Sequence, residues 1–134
     1  MNRSKARGTS WETAIVGYLT ARGWPYVERR TLSGSKDRGD IAGIPGVVIE
    51  AKACKALELS GWLTEATNEA VNDGADFGAV WIKRRGKSSP GDAYVLLDGE
   101  AFADLLDAAG YGPNKDQPNA AAVRATTLRG KETS

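Results

Sequence analysis

Apolar side chains recur at helical spacing from Ser10 to about Arg22, where Trp11, Ala14, Ile15, Tyr18 and Leu19 share one face and Gly23 follows as a stop. Thr9 and Glu12 have the spacing of a capping box at its start. A first strand is read over 24–32, entered through Pro25, and the run from Ser33 to Gly39 has turn composition throughout. Two short apolar runs, Gly39-Asp40-Ile41-Ala42 and Val47-Val48-Ile49-Glu50-Ala51-Lys52, flank a Pro45-Gly46 turn and predict a hairpin. Leu59, Trp62, Leu63, Ala66 and Ala70 then mark a second amphipathic helix, capped by Ser60 and stopped by Gly74, with Glu65, Glu69 and Asp73 expected to face elsewhere. Strands follow at 77–83 and 93–97, separated by a loop from Gly86 to Gly91. Asp98 is the expected N-cap of a last helix carrying Phe102, Leu105, Leu106 and Ala109, ended by Gly110. The order α-β-β-β-α-β-β-α predicts an α/β layered fold, a mixed sheet flanked by helices. Residues 1–8 are basic without periodicity and read as a flexible arm; 9–112 form the domain, and 113–134 read as a disordered tail.

Alternation along a strand sends Glu50 and Lys52 to one face and Val47, Ile49 and Ala51 to the other. Burying an unpaired charge is costly, so two charged groups on a central strand make sense beside a cleft in which Asp40 and Glu50 hold a hard cation. Mg²⁺ takes oxygen ligands from one or two carboxylates plus water and substrate phosphate, and is the natural ion for such a pair. The alternative is plainer: Asp40 as a turn residue, and Glu50 with Lys52 as an exposed pair on the wet face of an antiparallel sheet. Glu12 falls between Val16 and Leu19 on the helical wheel, either as a cap that bends back or as a third acid aimed at the site.

The chain has 134 residues, enough for one packed domain. It contains no histidine and one cysteine, Cys54. Ser-His-Asp and Cys-His hydrolases, histidine-metal nucleases and cysteine-rich zinc sites are thereby excluded, and carboxylate and lysine chemistry remains for hydrolysis. Cys54 is read as a small packed residue, since no histidine exists to activate it. No segment approaches the roughly 20 apolar residues of a membrane span, and the polar start Met1-Asn2-Arg3-Ser4-Lys5 has no secretion signal, so a soluble cytoplasmic protein is expected. A net charge of +1 conceals a skew, because Arg7, Arg29, Arg30, Lys36, Arg38 and Lys55 surround the proposed site and Lys83, Arg84 and Arg85 cluster beside a second apolar run. Such clusters are commonly solvated surface; here they also suit a phosphate backbone.

Glu12, Gly39-Asp40 and Glu50-Ala51-Lys52 together resemble the PD-(D/E)XK nuclease superfamily, and more closely the archaeal-type Holliday junction resolvases of archaea and some phages. The resemblance covers Arg7 to about Leu97. Arg7-Gly8-Thr9-Ser10-Trp11-Glu12 is similar to the family's opening, Ser33-Gly34-Ser35-Lys36 to its serine-bearing loop, and Val48-Ile49-Glu50-Ala51-Lys52 to its E-x-K strand, while Gly39 stands where the superfamily name has proline. It implies a restriction-endonuclease-like fold and a Mg²⁺-dependent endonuclease, with Mn²⁺ as a substitute ion, that resolves four-way DNA junctions by paired nicks as a homodimer. Asp40, Glu50 and the backbone carbonyl of Ala51 would bind the metal, with Glu12 contributing directly or through water, and Ser33 or Ser35 would be the family's functional serine. Lys52 would orient or help deprotonate water, or stabilise the phosphate; like charge from Mg²⁺ would push its pKa down. Arg29, Arg30, Lys36 and Arg38 would contact phosphates near the cut, with Arg7, Lys55, Lys83, Arg84 and Arg85 extending the surface. Other nucleases of the superfamily, and a catalytically inactive DNA-binding module, are the alternative readings.

Overall fold

The protein is described by a computed structural model covering residues 3–30 and 39–113. Its elements are α1 (Arg3–Ala21), β1 (Glu28–Arg29), β2 (Ile41–Ala42), β3 (Val47–Lys52), α2 (Leu59–Asp73), β4 (Phe77–Ile82), β5 (Tyr94–Leu96) and α3 (Gly99–Leu106). The order is the expected α-β-β-β-α-β-β-α, and the strands form one mixed sheet in the order β1-β2-β3-β4-β5. Among the described residues only β3 and β4 run parallel, paired from Val47↔Phe77 to Lys52↔Ile82. A parallel pair needs a long crossover, and α2 provides it. The β2–β3 hairpin pairs Ile41 with Ile49 antiparallel, and β4–β5 pairs Trp81 with Val95.

Side-chain alternation in β3 sorts two cores. Val47, Ile49 and Ala51 meet Trp11, Ile15 and Leu19 of α1, together with Val27 and Ile41. Trp62 and Ala66 of α2 pack with Val80 and Ile82, joined by Leu96. Two indoles lock the first layer: Trp11 Nε1 donates to the Trp81 carbonyl at 3.0 Å, and Trp81 Nε1 donates to the Pro90 carbonyl at 3.0 Å in a short 3₁₀ turn (Pro90–Asp92). Close approach of α2 to β4 is possible because residue 78 is glycine; a Cβ there would collide with the Ala66 carbonyl.

Several local expectations are corrected. α1 begins at Arg3 rather than Ser10, so residues 3–8 are helix and not an arm, and Thr9 lies inside it and caps nothing. Lys5, Ala6 and Arg7 are good helix formers, and propensity extends the helix where no apolar stripe announces it. β1 is two residues long, because 22–26 form turns rather than strand. The N-cap of α2 is Glu58, with no side-chain cap, instead of Ser60. Gly74 does end α2 in the left-handed region (φ 68°, ψ 26°). Asp98 does cap α3, its Oδ1 accepting from the Ala101 N–H at 2.7 Å. α3 belongs to a second compact unit that starts at Asp98, and Gly110 (φ 91°) breaks the helical path within the turn Asp107–Tyr111 that follows it. The tail beyond 113 lies outside the described residues.

Candidate active site

β3 puts Glu50 and Lys52 on the face covered by α2, as alternation requires, and Glu50 is only 5 % exposed. Lys52 Nζ stands 3.5 Å from Glu50 Oε1. The peptide between them is held by the upstream acid, for the Ala51 N–H donates to Asp40 Oδ2 at 2.8 Å. Asp40 reaches this position through the β2–β3 pairing, its own N–H donating to the Ile49 carbonyl at 3.0 Å. Gly39, immediately before it, has φ +96°, and a Cβ would strike Val48. Proline, restricted to φ near −65°, does not fit that backbone. The three groups singled out in the sequence, Asp40, Glu50 and Lys52, are therefore gathered around one peptide of the central strand.

Two further acids join them from α2. Glu65 accepts from Lys52 Nζ at 3.3 Å through both oxygens, and Glu69 is buried at 2 % exposure. One carboxylate oxygen each from Glu50, Glu65 and Glu69 lies within 4.8 Å of the others. Neither these two acids nor Asp73 faces away, as the sequence reading had it: Asp73 receives Arg30, Nη1 to Oδ1 at 3.0 Å. The signal was present in the spacing. Glu69 stands seven residues after Trp62 and four after Glu65, on the stripe that also carries Ala66 and Ala70, where only its polarity argued for solvent.

Crowding these acids has an electrostatic consequence. The Glu50 carboxyl is pushed up to about 11, first by desolvation on burial, then by hydrogen bonding to Glu69 and by the charges of Asp40 and Glu69. Its Oε2 has no donor among the described residues, so a proton or a cation is what reconciles it with the oxygens around it. For Lys52, burial works to lower the pKa, but Glu50, Glu65 and Asp40 outweigh it and the ammonium is held above its ordinary value. Trp62 lies alongside, its ring centroid 5.9 Å from Nζ.

Glu12 is placed differently. It sits on α1, whose layer covers the face opposite Glu50, and its Oε2 accepts from Arg29 Nε at 2.9 Å. Arg29 and Arg30 are thus both engaged by acids. Ser33, Ser35, Lys36 and Arg38 lie outside the described residues, and of Arg7 only its backbone place in α1 is described. Past the carboxyl ends of β3 and β4, Lys55, Lys83, Arg84 and Arg85 border an open groove of about 430 Å³. Cys54 is exposed at this groove rather than packed, because the chain has left the sheet by then. Among the described residues no helix is long and apolar enough to cross a membrane. No protein-family model, curated protein or solved structure matches the chain.

Proposed function

We propose that this chain is a Mg²⁺-dependent endonuclease of the PD-(D/E)XK type that acts on branched DNA, resolving four-way junctions as a homodimer. The observation that carries the reading is a buried Glu50 whose second oxygen lacks a donor among the described residues, next to Lys52 and to an Asp40 fastened to the peptide between them. A core does not gain stability from such a group, and strongly perturbed, mutually close ionisable residues cluster where chemistry is done. Asp40 and Glu50 offer carboxylate oxygens, the ligand type that a hard divalent ion takes. Asp40, Glu50 and the Ala51 carbonyl would hold it.

A bound Mg²⁺ would polarise the scissile phosphate and lower the pKa of attacking water. Lys52, pinned between Glu50 and Glu65, presents an ammonium to the same space, where it orients water or neutralises charge developing on phosphate oxygens. Glu12 and Arg29 form a closed pair on the other layer and serve to fix β1 against α1. Arg29 and Arg30 would exchange carboxylate for phosphate on contact with DNA.

Purified protein with Mg²⁺ should place paired nicks in a synthetic four-way junction, spare linear duplex of the same sequence, and stop when chelator is added. Asp40→Asn, Glu50→Gln and Lys52→Ala should each reduce cutting by about 100-fold or more while junction binding persists. Equal cutting of junction and duplex would replace resolvase by a restriction- or repair-like nuclease. Tight DNA binding without any cutting in Mg²⁺ or Mn²⁺ would make the chain an inactive DNA-binding module.

A further inference from the structure

The groove beyond β3 and β4 takes no part in the chemistry at Glu50, yet it begins one residue after Lys52, and the Lys83 N–H donates to the Lys52 carbonyl at 2.8 Å. Every charged side chain on its wall is a cation: Lys55, Lys83, Arg84 and Arg85. None of the four forms an ion pair among the described residues, in contrast to Arg29, Arg30 and Lys52, each of which is matched by an acid. The same wall carries Tyr94, 51 % exposed, and Leu57, 56 % exposed. Arg84 Cζ lies 5.6 Å from the Tyr94 ring centroid, so the aromatic surface is backed by a guanidinium.

We propose that this groove seats one unpaired nucleotide of a DNA strand, its phosphates on Lys55, Lys83 and Arg85 and its base stacked against Tyr94 and Leu57. Identification of the polymer as DNA rests on the nuclease reading above; the occupant's chemistry rests on the groove. Free cations alone would match any polyanion, but an exposed aromatic face with an arginine beside it is a stacking platform, and a base offers its face only when it has left the duplex stack. The volume, about 430 Å³, is near the lower end of the ~300–1,000 Å³ typical of sites for single small ligands, which suits one nucleotide and not a duplex. The groove's lining starts at Ala53, the residue after Lys52 in the chain, so on the nuclease reading an unpaired nucleotide near the cut becomes a feature that the protein reads. Junction centres and frayed ends supply such nucleotides; intact duplex does not.

Fluorescence anisotropy with the full chain in excess chelator, where no cutting occurs, tests this directly. The probes are a labelled short oligothymidylate, the abasic oligomer of equal length and a blunt duplex. Oligothymidylate should bind at least about 10-fold more tightly than the abasic strand, Tyr94→Ala should abolish that difference, and Tyr94→Phe should keep it. Affinity for oligothymidylate should fall with salt at a log–log slope of about −2, and Lys55→Ala should flatten the slope by about 0.7. Equal binding of abasic and thymidylate strands, or unchanged affinity in Tyr94→Ala, overturns the proposal and leaves a plain cationic patch. Lys52→Ala separates the two ideas: stacking preserved with cleavage lost supports the groove whatever the fate of the nuclease reading. Cleavage intact with no preference for unpaired bases sinks the groove alone.

Discussion

Glu50 shows how far a single side chain can be driven from its ordinary behaviour by its neighbours. In the folded chain it keeps its proton to about pH 11, whereas the unfolded chain releases it near the usual 4.5. Between those limits the native state binds more protons than the unfolded one, so the stability this group contributes is whole below about pH 4.5 and is lost steadily as pH rises toward 11. Glu50→Gln keeps the shape and removes the titration. In chelator, its thermal midpoint should exceed that of the wild type by a margin that widens from pH 6 to pH 9; parallel curves would show that Glu50 is not the titrating group. Mg²⁺ should stabilise the wild type, release protons on binding and do neither for Glu50→Gln, as calorimetry in two buffers of different ionisation enthalpy would reveal. Lys52 feels the same acids and its pKa also rises, which keeps it charged where Glu50 is kept neutral. The rise comes from the charges of Glu50, Glu65 and Asp40, which outweigh desolvation.

Among elements, α2 carries more than a crossover normally does: it joins two parallel strands, fills the second core with Trp62 and Ala66, and brings Glu65 and Glu69 to the site. All of this depends on its seat against Gly78. Gly78→Ala forces Cβ into the Ala66 carbonyl and should cost about 1–3 kcal/mol in urea unfolding, with a loss of any Mg²⁺ response, because the helix that bears two of the acids must back away. An unchanged denaturation midpoint would mean that the contact is soft. The pieces legible in the sequence were those with an unambiguous period: β3 and β4 as apolar runs, the stripe of α2 with its Gly74 stop, and the Asp98 cap. Asp40, Glu50 and Lys52 were legible for the same reason, since alternation alone orients a strand side chain. Glu65 and Glu69 were misread because polarity was allowed to outweigh their position on the wheel. The start of α1 was missed because propensity, unlike amphipathicity, leaves no pattern to see, and β1 was overextended because aromatic residues in a turn look like a strand. Glu12 kept two readings open in the sequence, and a third, the pair with Arg29, is what the fold adopts.

At the scale of the molecule, charge is local. A chain of net +1 draws polyanions weakly as a whole, so on the proposed reading DNA would be held by the cations past β3 and β4, which form no ion pair among the described residues, and by exchange of the Arg29 and Arg30 pairs. Two paired nicks need two sites, so sedimentation equilibrium should give twice the chain mass at micromolar concentration; a monomer at every concentration would remove symmetric resolution from the reading. One more property follows from the way β1 meets β2. The Arg30 N–H donates to the Asp40 carbonyl at 2.7 Å, and the Arg30 side chain is clipped to Asp73, so one residue fastens the end of β1 both to the entry of β2 and to the last turn of α2.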